Sequence, residues 1–348
     1  MGIFSFNAIA LAFLLAIISG AVNACPPSDR EALLALSSSL KEPYLGIFDS
    51  WKGTDCCSNW YGISCDPTTH RVTDVSLRGE SEDPILQKTG HSSSGYMTGI
   101  AGEIPSCLAS LPNLRVLDLI GNSLSGKIPD QIGNLQKLTV LNLADNKING
   151  EIPSSIVQLS SLKHLDLSNN LLTGEVPANF GNLKMLSRAL LSGNQLTGTI
   201  PISISNMYRL ADLDISRNKI QGQIPAQLGK MKVLATLDLG SNMLTGEVPP
   251  AVLGSTGLGI LNLSRNSLEG NIPDVFGPKS YFMALDLSFN NLKGPVPGSL
   301  SSAKFVGHLD LSHNHLCGTI PVGTPFDHLE ASSFDSNDCL CGNPLKTC

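Results

Sequence analysis

Positive charge is scarce in this chain, and charge of either sign is sparse. Its 348 residues carry 23 Lys and Arg against 29 Asp and Glu, for a net charge of −6, and 15% of residues are charged. Nucleic acid and anionic membranes select for basic surfaces, so both are disfavoured as partners and a basic partner is mildly favoured. Long apolar runs are missing too: after the first two dozen residues nothing approaches the ~18 apolar residues of a membrane span. Also missing are a Ser–His–Asp constellation, a phosphate loop, a helix-turn-helix and a nuclease-type carboxylate cluster, so catalysis, a cofactor and direct DNA chemistry are not expected. Cysteine is absent between Cys107 and Cys317. Cys25, Cys56, Cys57 and Cys65 lie near one end, and Cys317, Cys339, Cys341 and Cys348 near the other. Cys339-Leu340-Cys341 lacks the spacing of a zinc site.

Residues 1–24 hold an apolar run, Ala8 to Ile18, followed by Val22-Asn23-Ala24, which places small residues at the −3 and −1 positions of a cut before Cys25. Lys and Arg are absent from this start, yet the pattern predicts a signal peptide and an exported, soluble mature chain. Export in turn favours disulfides.

What the sequence has in abundance is a period. Asn122, Asn146, Asn170, Asn194, Asn218, Asn242, Asn266, Asn290 and Asn314 stand 24 residues apart, and prolines keep the same step from Pro105 to Pro321. A period of this size marks a solenoid. Each copy reads LxxLxLxxNxLxGxIPxxLxxLxx, as in Leu162, Leu165, Leu167, Asn170, Leu172, Gly174, Val176 and Pro177, and is identified as a leucine-rich repeat. Period-2 alternation turns Leu165 and Leu167 inward and His164, Asp166 and Ser168 outward. The predicted fold is an α/β solenoid: a curved superhelix with a concave parallel sheet, strands ~4.8 Å apart. The ladder Asn amides are expected to satisfy buried backbone groups, which cost about 1–3 kcal/mol each if unpaired. Gly permits a positive φ in the following turn, and Pro fixes its exit.

The outward strand positions are the candidate binding face. One column reads Asp118, Asn142, Asp166, Leu190, Asp214, Asp238, Asn262, Asp286, Asp310; a second reads Val116, Val140, His164, Arg188, Asp212, Thr236, Ile260, Ala284, His308; a third reads Gly121, Asp145, Asn169, Gly193, Arg217, Ser241, Arg265, Phe289, His313. From these the expected partner-binding set is His164, Asp166, Arg188, Asp212, Asp214, Arg217, Asp238, Arg265, Asp286, Phe289, His308, Asp310 and His313. Asp166, Asp212, Asp214 and Asp238 would form an acidic strip, with Arg188, Arg217 and Arg265 flanking it without cancelling its field. Solubility and edge packing explain single Asp residues in this column as well as recognition does. Phe289 is expected to be an exposed aromatic anchor. His308, Asp310 and His313 lack a defined ligand set, so no metal is expected. Asn262-Leu263-Ser264 is the one N-x-Ser/Thr sequon after residue 24, and a glycan there would cover part of the concave face.

The GxIP element resembles the plant-specific subclass of leucine-rich repeats. The cap Cys56-Cys57-Ser58-Asn59-Trp60-Tyr61-Gly62-Ile63-Ser64-Cys65 and the tail Cys339-Leu340-Cys341-Gly342-Asn343-Pro344-Leu345 resemble secreted plant proteins of this type. Ser76-Leu77-Arg78-Gly79-Glu80-Ser81-Glu82-Asp83 and Ser302-Ala303-Lys304-Phe305-Val306-Gly307-His308-Leu309-Asp310 resemble the DNA-damage-repair/toleration class, which is related to polygalacturonase inhibitors. The resemblance implies pairing of Cys25 with Cys56, Cys57 with Cys65, Cys317 with Cys339, and Cys341 with Cys348, where the sequence alone allows many connectivities. It further implies that a repeat has been lost near residues 79–100, leaving Cys107 a free thiol. The expected organisation is a signal peptide (1–24), an N-terminal cap (25–70), repeats (71–321) with an irregular segment (79–100), and a C-terminal disulfide cap (322–348). The expected function is non-enzymatic: a monomer secreted to the plant apoplast that binds a protein or peptide, such as a cell-wall enzyme or a receptor ectodomain, in defence, stress or development signalling. The alternative is a polygalacturonase-inhibitor-like protein.

Overall fold

A computed structural model describes residues 25–42, 46–79 and 99–348, so the expected signal peptide and nearly all of the irregular segment lie outside the described residues. One sheet runs the length of the molecule: β1 (Ile63–Cys65), β2 (Val72–Ser76), β3 (Val116–Asp118), β4 (Val140–Asn142), β5 (His164–Asp166), β6 (Arg188–Leu190), β7 (Asp212–Asp214), β8 (Thr236–Asp238), β9 (Ile260–Asn262), β10 (Tyr281–Asp286) and β11 (Phe305–Asp310), paired in sequence order. Only β1–β2 is antiparallel; the later pairs are parallel, and Arg188 pairs with Asp212 and Asp212 with Thr236 at the repeat step. Leu165, Leu167, Leu213 and Leu237 from this sheet are fully buried. On the opposite side short 3-10 helices such as Ile202–Asn206 send Ile204 into the same core. A second, lateral parallel sheet begins at Gln221–Gly222 and ends at Cys339–Cys341.

The ladder asparagines, buried except for the half-buried Asn242 and Asn266, do the bonding expected of them. Asn194 Oδ1 accepts the Leu172 N–H at 3.0 Å, and its Nδ2 donates to the carbonyls of Leu167 (2.9 Å), Leu191 (3.2 Å) and Ser192 (3.3 Å). One amide thus ties two successive coils through groups that water cannot reach. The glycine that follows is equally constrained: Gly174 has φ 75°, and a Cβ there would lie 2.7 Å from Glu151 Cγ.

The bonding bears on two boundaries read from the period. Gly79 donates to Ile120 O as Gly121 does to Ala144 O, and Ile100 donates to Asn122 Oδ1 as Leu124 does to Asn146 Oδ1. The described ends of segment 79–100 are therefore in register with the next coil. Asp74 pairs directly with Val116, so β2 and β3 are neighbours 42 residues apart (116 − 74), 18 more than one period (42 − 24). At the other end the expected cap, 322–348, contains a further rung. Asn337 donates to Leu311 O (3.1 Å) and Phe334 O (2.8 Å) and accepts the Leu316 N–H (2.9 Å). It stands 23 residues after Asn314 (337 − 314), one short of the period, and Phe334 fills the apolar core beside it.

A solenoid's ends must be covered. At the N-terminus α1 (Pro27–Ser39) packs over the first coil, and its fully buried Asp29 receives two hydrogen bonds from Arg71 (2.6 and 3.0 Å) and one from the Val72 N–H (3.0 Å). Bridges join Cys25–Cys56, Cys57–Cys65, Cys317–Cys339 and Cys341–Cys348, and Cys107 is a half-buried free thiol. No helix among the described residues is long and apolar enough to cross a membrane.

Candidate functional site

The concave sheet brings the three outward columns together, and each has a different local job. Asp166 Oδ1 accepts both the N–H (3.0 Å) and the hydroxyl (2.6 Å) of Ser168, and Asp286 does the same with Ser288 (2.9 and 2.7 Å). Asp214, Asp238 and Asp310 each accept an N–H two residues on, from Ser216, Gly240 and Ser312, all at 2.9 Å. Asn142 and Asn262 use their amide oxygens in the same way. This column therefore turns the chain off the strand, which explains why Asp recurs with Asn as its substitute. The expectation that these carboxylates simply face solvent is corrected: one oxygen is committed to the backbone, the residues are half-buried, and only the other oxygen is available to a partner.

Charge is distributed unevenly along the face. In the N-terminal half Arg78 pairs with the nearly buried Asp118 (2.7 Å) and Arg188 with Asp212 (3.2 Å). The expected role of Arg188 as a flanking cation is thereby corrected, because it neutralises part of the acidic strip. His164 has its pKa lowered by burial and then by Arg188, so its charged form is disfavoured. Arg217 reaches Asn169 Oδ1 (3.3 Å), whose Nδ2 donates to Asp145 (2.8 Å). Toward the C-terminus compensation stops: among the described residues no Lys, Arg or His pairs with Asp214, Asp238, Asp286 or Asp310. Burial, followed by the Asp214 and Asp286 charges, raises the Asp238 pKa against the lowering effect of its hydrogen bonds.

The third column is left-handed throughout. Gly121 and Gly193 have φ of 72° and 66°, and Asp145, Asn169, Arg217, Ser241, Arg265, Phe289 and His313 lie between 52° and 55°. Asn, Asp and Gly adopt this conformation readily, whereas Arg, Phe and His do so at a cost. Three of the costly residues form one stack: the Arg265 guanidinium lies 3.9 Å from the Phe289 ring centroid, and His313 stacks on its other face at 3.9 Å. Phe289 is consequently half-buried in a sandwich and is not the free-standing ring expected. His308, Asp310 and His313 do not converge; among the described residues the one group with ligand-like spacing is Cys25, Cys56 and Cys57, whose sulfurs are in disulfides. At the sequon, Asn262 Oδ1 accepts from Ser264 (2.7 and 3.0 Å) on the floor of the face.

Residues that the three columns missed widen the face at its C-terminal end. The other parallel strands from β3 to β9 have three residues, but β10 and β11 have six and pair over their length, Tyr281 with Phe305. The added turns of strand expose Tyr281 (43%), Met283 (51%) and Phe305 (45%), with the two rings stacked at 5.1 Å. The signal for them was present, since Tyr281 and Phe305 are one period apart, but their column lies upstream of the three chosen.

With the fold and the face described, the class is clear: the chain belongs to the leucine-rich repeat family. It matches the leucine rich repeat N-terminal domain over residues 26–66, the leucine-rich repeat region over 104–193, and single leucine rich repeats at 186–207, 209–231, 257–278 and 306–325. It is similar to the DNA damage-repair/toleration protein DRT100 of Arabidopsis thaliana, 57% identical over a stretch covering 34% of this chain and 37% of that one. It is related to the polygalacturonase inhibitor of Vitis vinifera, 34% identical over 27% of this chain and 30% of the inhibitor. The matched stretches thus span about a third of these curated relatives. Among solved structures, a plant ice-binding protein superposes with a TM-score of 0.78 at 31% identity, covering 93% of this chain and 98% of its own. The ectodomain of the Arabidopsis thaliana receptor kinase GASSHO1/SCHENGEN3, solved in complex with CASPARIAN STRIP INTEGRITY FACTOR 2, gives 0.69 at 30% identity over 83% of this chain and 36% of that one.

Proposed function

We propose that this protein is a secreted, non-enzymatic recognition protein of the plant cell-wall space that binds a protein or peptide partner through its concave sheet. The observation that carries this is the left-handed column. Two coils place glycine there, yet others place Arg217, Arg265, Phe289 and His313, each accepting about 1–2 kcal/mol of backbone strain. The coil's own geometry is served equally well by glycine, so these side chains are useful for what they present, and strain of this kind clusters at functional sites. That the related ectodomain described above was solved in complex with CASPARIAN STRIP INTEGRITY FACTOR 2 supports a binding role for this fold. Its disulfide-capped ends suit an oxidising compartment. The test is site-specific photo-crosslinking in cell-wall fluid, with a benzophenone side chain at Thr236 on the concave floor or at Gln227 on the convex helices. A discrete adduct from Thr236 and none from Gln227 is expected; the reverse pattern would overturn the proposal.

The relation to polygalacturonase inhibitors favours a second possibility, inhibition of a secreted cell-wall-degrading enzyme by the same face. Titration against a fungal polygalacturonase separates the two, since a recognition protein of the first kind leaves its activity unchanged.

A further inference from the structure

We infer that the C-terminal end of the concave face, built on β9, β10 and β11, is an anchoring subsite for a basic segment of a protein partner that carries a large apolar side chain. This rests on the recognition function proposed above and assigns the chemistry of its partner. Three independent features coincide there. First, lengthening of β10 and β11 exposes Tyr281, Met283 and Phe305 together on one lip of the sheet, and Gly307 beside Phe305 has no side chain to cover them. Clustered aromatic and Met side chains of this kind are the anchors of protein interfaces. Second, the floor beside that lip carries Asp286 and Asp310, and Asp238 two coils before Asp286, none of them ion-paired among the described residues. Third, the nearest strong cation on the floor side, Arg265, is held against Phe289 on the opposite lip and makes no ion pair with them.

The complementary ligand follows. An apolar side chain packs on Met283 and the edges of the Tyr281–Phe305 pair, and Lys or Arg on either side of it meets the free oxygens of Asp286 and Asp310. Burial and, after it, the Asp214 and Asp286 charges disfavour the ionised form of Asp238, and cations arriving at Asp286 offset the part that is repulsion. Nearer the N-terminus the two features do not coincide: Asp118 and Asp212 are already paired, and Asp166, which is not, has no exposed aromatic or Met side chain near it among the described residues.

The experiment uses the full mature protein and an array of synthetic dodecapeptides that vary Lys/Arg content and the presence of one Leu, Phe or Trp, with affinity and association rate measured by fluorescence polarisation. Three variants accompany the wild type, all made in a host that does not N-glycosylate because the amide variants create Asn-Leu-Ser sequons: Met283→Ser with Phe305→Ser; Asp286→Asn with Asp310→Asn, which keeps the turn acceptor as Asn142 and Asn262 do; and Thr236→Arg at mid-face. Unfolding midpoints confirm that each is folded. Peptides with both features should bind best, the apolar double variant should weaken them at least about tenfold, and the amide double variant should slow association and flatten its salt dependence. No binder in the array, binders that are acidic or lack an apolar residue, or binding unaffected by both double variants would overturn the subsite. If such binders instead respond to Thr236→Arg alone, the concave-face function stands and the subsite falls; if no concave variant affects them, both fall.

Discussion

Replacing Ser241 and Phe289 by glycine, one at a time, separates the strain of the left-handed column from the interactions made by its side chains. Ser241 has φ 55° and its side chain has no hydrogen-bond partner among the described residues, whereas Phe289 has φ 53° and is sandwiched between Arg265 and His313. Glycine removes about 1–2 kcal/mol of left-handed strain at either site and costs about 0.5–1 kcal/mol in added freedom of the unfolded chain. Ser241→Gly should therefore stabilise by about 0.5–1 kcal/mol on those two principles. Phe289→Gly has the same backbone balance but forfeits a cation–π contact, about 0.5–1 kcal/mol at an exposed site, and a ring stack, about 0.5–1.5 kcal/mol. It should fall below Ser241→Gly by about 1–2.5 kcal/mol, the sum of those contacts. Urea unfolding with the bridges intact reads both, as midpoint shifts at constant slope. If Phe289→Gly stabilises as much as Ser241→Gly, the stack contributes nothing and the account of the column is wrong.

Four further outcomes are expected. Asn194→Ala leaves the Leu172 N–H unpaired in the core, while Leu167 C=O keeps the Asn170 amide as a donor at 3.2 Å, so urea unfolding should show a loss of about 1–3 kcal/mol for that one group; a change within about 0.5 kcal/mol, as at an ordinary surface site, would refute the ladder's role. The folded-state pKa of Asp238 is raised above the ordinary Asp value of 3.8, so the native state gains stability as pH falls through that folded value toward 3.8 and lacks it at neutral pH; Asp238→Asn should be at least as stable as wild type at pH 7, with an advantage that shrinks in that acidic window, and a less stable variant at pH 7 contradicts this. Alkylation of the unreduced protein should label Cys107 and no cap cysteine, as read by peptide mass spectrometry. Protein secreted from plant cells should carry a glycan at Asn262 and bind its partner more weakly than Ser264→Ala, which lacks the sequon; equal binding would place the partner away from that strand.

The regular part of this molecule was legible because its physics repeats. Leu165 and Asn194 each meet the same neighbours one period away, so a single copy of the pattern specifies the core, the sheet and the ladder for all. What the pattern missed lies where the period slips or the strand length changes. Asn337 is a rung displaced by one residue, and Phe334 replaces the ladder's customary leucine, so neither registers in a column of fixed step. Asp214 and Asp238 project outward as the alternation implies, but an outward position on a short strand is also the first position of the turn, and a carboxylate there bonds its own backbone with one oxygen, which the alternation does not reveal.

The functional residues are less legible for a related reason. A repeat pattern says which positions are free of the core, but the meaning of a free position depends on neighbours in adjacent coils. Arg188 reads as a free cation until Asp212 is found 3.2 Å away, and Phe289 reads as an isolated ring until Arg265 and His313 close on it. All three contacts join residues one period apart, so each lies along a column. In a solenoid, the unit of recognition is therefore the short run of adjacent coils. On that basis the C-terminal run, where uncompensated carboxylates lie beside exposed Tyr281, Met283 and Phe305, is where a partner gains most from docking.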